Sequence, residues 1–152
     1  MKPAKSLRAR ALDIVARQEI SRADLKRKLA PHAESEDELE RLLDDFAQRH
    51  WQSDERFAEA YIHSKGQKHG KLRLQQALHA KGIDSEIAQE LMPSAEDELH
   101  TAIAVLRKKF KQPAADAKEK QKQFRFLAYR GFDMNTAQAA IKHAWAEIEE
   151  DE

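Results

Sequence analysis

The sequence contains no cysteine and few residues that favour tight turns. Of its 152 residues, four are glycine and four are proline, and aromatic residues make up only 7%. Without cysteine the chain has no disulfide framework and no thiolate metal site. Few glycines and prolines leave little material for strands and turns, whereas the abundant alanine, leucine, lysine, glutamate, glutamine and arginine favour helices.

Long apolar runs are also lacking. No segment approaches the roughly 18 apolar residues that a membrane-spanning helix needs. The basic N-terminal residues are followed by Arg8, Arg10 and Asp13, which interrupt what would be the apolar core of a signal peptide. We therefore expect a soluble protein of the cytoplasm.

Residues that carry catalytic or metal chemistry are absent or unsuitably spaced. No two of the seven histidines lie three or four positions apart, so no helix presents an adjacent pair to a metal ion. The patterns G-x-x-x-x-G-K-[ST] and H-E-x-x-H are missing, and no nucleophile elbow is present. The sequence predicts a protein that is not an enzyme and that needs neither a metal nor another cofactor.

What the sequence does contain is helical periodicity from end to end. Ser35 and Glu38 form a capping box before an apolar stripe over residues 39–46. Gly82 and Gly131 stand where a left-handed residue would end a helix, and an aspartate follows each of them two positions later. Together these signals predict nine short helices.

Two of the predicted helix joints are copies of each other. Residues 80–92 and 129–141, offset by 49 residues, share Gly, Asp, Ala and Gln at equal positions. Internal periods of this size indicate stacked helical repeats, each too small to bury its own apolar stripe. We predict an all-α fold of three tandem three-helix repeats, at 4–50, 53–93 and 95–150, forming an elongated, curved array. One irregular helical domain with a chance similarity is the alternative.

Charge is segregated along the chain although the net charge is zero. Acidic residues dominate 34–45 and the tail 147–152, whereas 63–82 holds five Lys or Arg and no acid, and 105–130 holds nine against two acids. Any one such run is explained by a solvated helix face. Two basic segments at related repeat positions favour a shared surface for nucleic-acid phosphates or for an acidic protein groove. The candidate partner-binding residues are Lys65, Lys68, Lys71, Arg73, Lys81, Arg125 and Arg130, with Lys118 and Lys122 on the same predicted surface.

Trp51 and Phe57 have two interpretations. They could stack on nucleobases, as aromatic residues of single-strand-binding proteins do. An aromatic residue just before a helix and another in its first turn more commonly pack across the helix start as a hydrophobic staple. We favour the staple.

The order and spacing of these motifs resemble one known family. The motifs that carry the resemblance are Trp51-x-x-Asp54-x-Arg56-Phe57-Ala58, Gly70-x-x-Arg73-Leu74, Lys81-Gly82-Ile83 and Phe126-Leu127-x-Tyr129-Arg130-Gly131-Phe132. This ordered set resembles the RecX family, bacterial regulators of the RecA recombinase, from about Leu7 to Ile148. The family-motif residues with a structural role are then Trp51, Asp54, Arg56, Phe57, Gly70, Gly82 and Gly131.

The resemblance implies three tandem three-helix repeats and a protein without enzymatic activity that binds the RecA filament on single-stranded DNA. Members of the family typically reduce RecA's ATP hydrolysis, strand exchange and co-protease activity, in homologous recombination, DNA repair and the SOS response. We therefore expect an inhibitor of RecA that acts as a monomer. The family usually has glycine where this chain has His50, and a left-handed conformation is costlier for histidine.

Two other functions remain open from the residues. Short helices joined at glycine or at capped turns also describe a helix-turn-helix protein that binds DNA without RecA. The zero net charge and the lack of a polar recognition helix count against it. A helical scaffold for an unrelated protein partner is the third possibility.

Overall fold

The computed structural model describes residues 4–146, and within this range all regular structure is helical. The predicted all-α fold is confirmed, whereas the acidic tail predicted within the third repeat, residues 147–152, lies outside the described residues. The nine described α-helices are α1 (Leu7–Arg17), α2 (Arg22–Leu29), α3 (Glu36–Gln48), α4 (Asp54–Lys65), α5 (Lys71–Ala80), α6 (Ser85–Leu91), α7 (Ala95–Lys109), α8 (Ala117–Tyr129) and α9 (Met134–His143).

Side-chain caps start most of these helices. Ser35 Oγ accepts the N–H of Glu38 at 3.1 Å, and Glu38 Oε2 accepts the N–H of Glu34 at 3.0 Å. A cap of this kind stabilises a helix by about 1 kcal/mol, because it satisfies a backbone N–H that the helix itself leaves free. Side chains that accept the N–H three residues later belong to Ser6, Ser21, Ser35, Ser53, Ser94, Asp116 and Asp133.

Not one helix in the described range is both long and apolar enough to span a membrane.

The described chain divides into two compact units. The first contains the chain up to Ala60 together with Leu78–Ala88, and the second contains Tyr61–Ala77 together with the chain from Gln89 onward. Leucines and Phe46 form the core of the first unit, and Leu106, Leu127 and Phe132 are central to the core of the second. The repeat boundaries at 4–50, 53–93 and 95–150 stay a prediction.

Three helices end in the same left-handed turn. Its central residue is His50 with φ 60°, Gly82 with φ 76° and Gly131 with φ 96°. In each case the next N–H bonds to the carbonyl five residues earlier, as in a Schellman motif. The sequence showed two copies, and the structure adds a third at His50. These bonds join Trp51 to Phe46 at 3.0 Å, Ile83 to Leu78 at 3.0 Å, and Phe132 to Leu127 at 3.1 Å.

Replacing His50 with glycine should stabilise the protein by about 1 kcal/mol, because glycine adopts positive φ without the strain that other residues incur. The shift in the urea unfolding midpoint measures the effect. The same substitution at Gln48, an exposed helical residue two positions earlier, is the matched control. Gln48→Gly should cost about 1 kcal/mol, and destabilisation by both changes would contradict the left-handed turn.

Candidate partner-binding site

The segment from Trp51 to Arg56 works as a structural clasp in the first unit. Asp54 Oδ1 accepts the N–H of Arg22, the first residue of α2, at 2.8 Å. Gln52, only 5% exposed, donates from Nε2 to Asp54 Oδ1 at 3.0 Å and to the carbonyl of Ile20 at 3.1 Å. Asp54 therefore caps α2 from a distant part of the chain, which accounts for its place among the motif residues.

Arg56 and Trp51 complete this clasp. Arg56 donates to Glu19 Oε1 at 2.6 Å, to the carbonyl of His50 at 2.8 Å and to that of Trp51 at 3.2 Å. Trp51 packs edge-to-face on Phe46, with 5.2 Å between ring centroids, which is the apolar contact expected around a left-handed turn. Phe57, its predicted staple partner, lies partly buried in the first turn of α4.

Gly82 and Lys81 form a second joint of the first unit. A Cβ at Gly82 would lie 2.7 Å from the Cβ of Ala23 in α2, so the turn packs closely on that helix. Lys81 Nζ lies 3.0 Å from Oδ2 of the mostly buried Asp24. Lys81, a candidate binding residue, therefore already has an acidic partner.

In the second unit, Gly70 and Gly131 bring the start of α5 against the end of α8. The N–H of Gly70 bonds to the carbonyl of Arg130 at 2.8 Å, and the N–H of Leu72 bonds to that of Gly131 at 3.0 Å. A Cβ at Gly70 would lie 2.5 Å from the backbone of Gly131. Only glycine allows the two backbones to approach this closely, which accounts for both motif glycines.

Four candidate binding residues meet at this contact, around the half-buried His69. Burial lowers the pKa of His69, and the positive charges of the four surrounding cations lower it further. The His69 Nδ1 atom is buried and has no hydrogen-bond partner in the part of the chain that the structure describes. We call this cluster the basic joint; it consists of Lys65, Lys68, His69, Arg73 and Arg130.

Exposed aromatic and apolar side chains lie close in sequence to residues of the basic joint. The guanidinium of Arg73 lies 5.4 Å from the ring centroid of Tyr129, which is 76% exposed. Leu72 is 53% exposed and Met134 63%. Sequence reasoning missed all three, although Tyr129 stands two positions after buried Leu127 and so on the opposite face of α8. Exposed tyrosine, aliphatic side chains and arginine together are typical of a binding surface.

The remaining candidates lie on or next to the same elements. Lys71 is the first residue of α5, and its backbone N–H bonds to Glu98 Oε1 at 3.2 Å. Arg125 is exposed one helical turn before Tyr129, so the two share a face of α8. Exposed residues at this spacing along α8 are Lys118, Lys122, Arg125 and Tyr129.

Two arginines of the basic joint correspond to an ion pair in the first unit. Asp24 and Arg73 are 49 residues apart, as are Lys81 and Arg130. The Lys81–Asp24 ion pair of the first unit is thus replaced by two arginines. In the described part of the chain, no carboxylate lies within 4.0 Å of a side-chain nitrogen of the four joint cations. This cluster can bind an anionic group without first breaking an internal ion pair.

Glu98 supports the joint from α7 and provides a test of its geometry. The carboxylate is 3% exposed, and this burial raises its pKa. The hydrogen bond from Lys71 N–H lowers the pKa by a smaller amount, and the negative charge of Asp133 raises it slightly. Glu98→Ala should cost about 1–2 kcal/mol, because the N–H at the start of α5 loses its acceptor. Glu98→Gln should equal or exceed the natural protein in stability, because an amide oxygen accepts the same bond without a buried charge.

The pH dependence of unfolding separates the role of Glu98 as a hydrogen-bond acceptor from the cost of its buried charge. A carboxyl whose folded pKa is raised contributes stability at low pH, and that contribution is lost as pH rises through the folded pKa. The advantage of Glu98→Gln over the natural protein should therefore grow with pH in urea titrations above the usual glutamate range. A constant difference across that range would contradict the buried charge.

Comparison with known proteins relates most of the chain to one family. The model of the second three-helix domain of RecX matches residues 53–92, and that of the third matches residues 96–141. The chain is 68% identical over 151 residues to regulatory protein RecX of serogroup A Neisseria meningitidis, covering 99% of each chain. It is 49% identical over 128 residues to regulatory protein RecX of Chromobacterium violaceum, covering 84% of each.

Solved structures show the same fold. A crystal structure of RecX from Lactobacillus salivarius superposes with a TM-score of 0.79 and 18% identity, covering 91% of this chain and 94% of that one. A second structure, of regulatory protein RecX, gives 0.76 and 20%, covering 90% and 70%. With the tandem domain matches, these likenesses confirm the predicted all-α repeat fold. The sequence identities and the domain matches together show that this chain belongs to the RecX family of regulatory proteins.

Proposed function

We propose that this protein binds the filament that RecA forms on single-stranded DNA and inhibits RecA's ATP hydrolysis, strand exchange and co-protease activity. Membership of the RecX family supports RecA as the partner. The observation that carries the site is the basic joint, where Arg73 and Arg130 stand in place of the ion pair found in the first unit. Assignment of the joint as the binding site is part of the proposal.

Binding at the joint would combine attraction and anchoring. The four cations of the joint complement acidic groups, which speeds association and selects the partner. Tyr129 and Leu72 provide exposed apolar area beside those charges. Arg73 lies against the Tyr129 ring, so it loses less rotamer freedom on binding than a free side chain.

Inhibition by this route needs no covalent chemistry, and we propose that the protein is not an enzyme. A protein bound along the filament excludes an incoming duplex or a repressor that needs the same surface. By bridging neighbouring RecA subunits it also opposes the rearrangements that accompany ATP turnover. Within the proposal the protein acts in the cytoplasm as a monomer, through repeats at 4–50, 53–93 and 95–150.

Direct contact with the single strand is a second candidate role for the same joint. Tyr129 is the observation that favours it, because an exposed ring beside arginines can stack on a base while the cations contact phosphates. Fluorescence anisotropy of a labelled single-stranded oligonucleotide without RecA tests this role. Tight binding that weakens steeply with salt would favour it.

The main test is RecA's single-strand-dependent ATP hydrolysis, titrated with this protein from well below one copy per RecA. We expect hydrolysis to fall at substoichiometric ratios, because each bound copy affects several filament subunits. Loss only at ratios that cover the DNA would indicate competition for the strand instead. Unchanged hydrolysis at saturation, with circular dichroism showing a helical protein, would contradict the proposal.

A further inference from the structure

A groove of about 820 Å³ lies between α8 and the segment that contains α9. Phe124 of α8 and Ile141 of α9 form its apolar wall with Trp145, which follows α9. Ligand pockets commonly measure about 300–1,000 Å³, so the groove has room for one bulky side chain and its flanking backbone. No residue of the basic joint lines it, so the groove is a separate feature of the second unit.

Trp145 lines this groove and has an unused hydrogen-bond donor. The residue is only 6% exposed, and its buried indole Nε1 has no hydrogen-bond partner within residues 4–146. Buried tryptophan N–H groups usually have an acceptor, and an unsatisfied one costs about 1–3 kcal/mol. Trp145 lines the groove, so a rotation of its ring would bring this N–H to an oxygen of a bound molecule.

The charges of the groove indicate what kind of molecule fits. Lys120 on α8 and Lys142 on α9 line it, and none of its lining residues among 4–146 is acidic. Neither lysine forms an ion pair in the range the structure covers. Two ammonium groups beside an apolar wall complement a peptide in which carboxylates flank one apolar side chain. Nucleic acid fits less well, because the groove offers only two cations and no arginine for phosphates.

We propose that this groove binds an acidic peptide segment of a protein partner through one leucine- or isoleucine-sized side chain. That side chain packs against Phe124, Ile141 and Trp145. Carboxylates on either side pair with the two lysines, and a backbone carbonyl accepts the Trp145 indole N–H. This contact is independent of the basic joint and does not require that the joint bind RecA.

The test uses the full-length, ¹⁵N-labelled protein and the capped peptide Glu-Asp-Leu-Glu-Glu. Trp51 and Trp145 are the two tryptophans, and the indole signal missing in Trp145→Phe identifies the second. Adding the peptide should move the Trp145 indole signal downfield and leave that of Trp51 in place. Trp145→Phe keeps an aromatic wall but loses the donor, so peptide affinity should fall about 5- to 10-fold, the effect of one hydrogen bond.

Lys120→Ala and Lys122→Ala form a matched pair, because both remove an exposed lysine of α8 and only Lys120 lines the groove. Affinity should fall in the first and stay unchanged in the second. A peptide with serine in place of leucine should bind about 10-fold more weakly, because it lacks the apolar anchor. Equal binding of the two peptides, a stationary Trp145 signal, or displacement of the peptide by a short single-stranded oligonucleotide would each overturn the proposal.

Discussion

Gly131→Ala should destabilise the protein by about 2–4 kcal/mol, because it adds backbone strain to a steric conflict. The φ of 96° is a left-handed conformation that costs a residue with a side chain about 1–2 kcal/mol. The added Cβ would also lie 2.7 Å from the backbone nitrogen of Arg73. Because that atom belongs to α5, it cannot move aside as the end of a flexible side chain would. Urea unfolding followed by circular dichroism measures the loss.

Gly82→Ala is the matched control for this prediction. Its φ of 76° carries a similar conformational cost, but the added Cβ would meet only the methyl of Ala23, at 2.7 Å. A double-mutant cycle with Ala23→Gly should therefore show favourable coupling, because removing that methyl relieves the conflict. Gly131→Ala has no such rescue. If Gly131→Ala were as stable as the natural protein, the close backbone contact between α5 and α8 would be wrong.

Helix caps and turns that depend on residues close together in the chain could be predicted from the sequence. Asp133 Oδ1 accepts the N–H of Thr136 at 2.7 Å, and Asp84 Oδ1 accepts that of Glu86 at 2.8 Å. Asp133 was a predicted cap and Asp84 was one of two candidates with Ser85, because a helix start depends on a side chain and an N–H two or three positions away. The left-handed turn at His50 was harder to predict, because histidine stands there in place of the glycine that usually marks such a turn.

Contacts between distant segments could not be read in the same way. Nothing in the pattern around Gly70 or Gly131 shows that their backbones touch, because the contact depends on how α5 and α8 pack. The charge pattern identified four cations of the basic joint but could not show that Lys81 is paired with Asp24. A count of charges treats every lysine alike, whereas a partner meets only those whose charge is not already neutralised. The binding role of these residues stays a prediction.

The two units also share an interaction that no sequence identity reveals. In the first, Asp54 accepts the N–H of Arg22 at the start of α2; in the second, Glu98 accepts that of Lys71 at the start of α5. The capped residues are 49 positions apart, the same offset as that between the two glycine turns. A carboxylate of different length fills the same role, so equivalence at these joints lies in hydrogen bonds and not in residue identity.

That equivalence leads to the sharpest functional test, Arg73→Asp. The change places an aspartate at the position of the second unit that corresponds to Asp24, which pairs with Lys81 in the first unit. Stability should be unchanged or slightly higher, because the introduced carboxylate can pair with Arg130. The carboxylate also lies in the first turn of α5, where the helix dipole favours a negative charge. Inhibition of RecA should weaken about 10-fold, because two cations of the binding surface are neutralised together.

Half-inhibitory concentrations in the RecA ATP hydrolysis assay and urea midpoints of the same samples separate function from folding. Arg73→Gln removes one charge without creating a new ion pair, so its loss of inhibition should be smaller. Asp24→Arg is the reciprocal control, because it unpairs Lys81 in the first unit and should lower stability while leaving the basic joint intact. Full inhibition by a folded Arg73→Asp protein would show that the basic joint does not contact RecA. Unfolding of the Arg73→Asp protein would show that position 73 is not structurally equivalent to position 24.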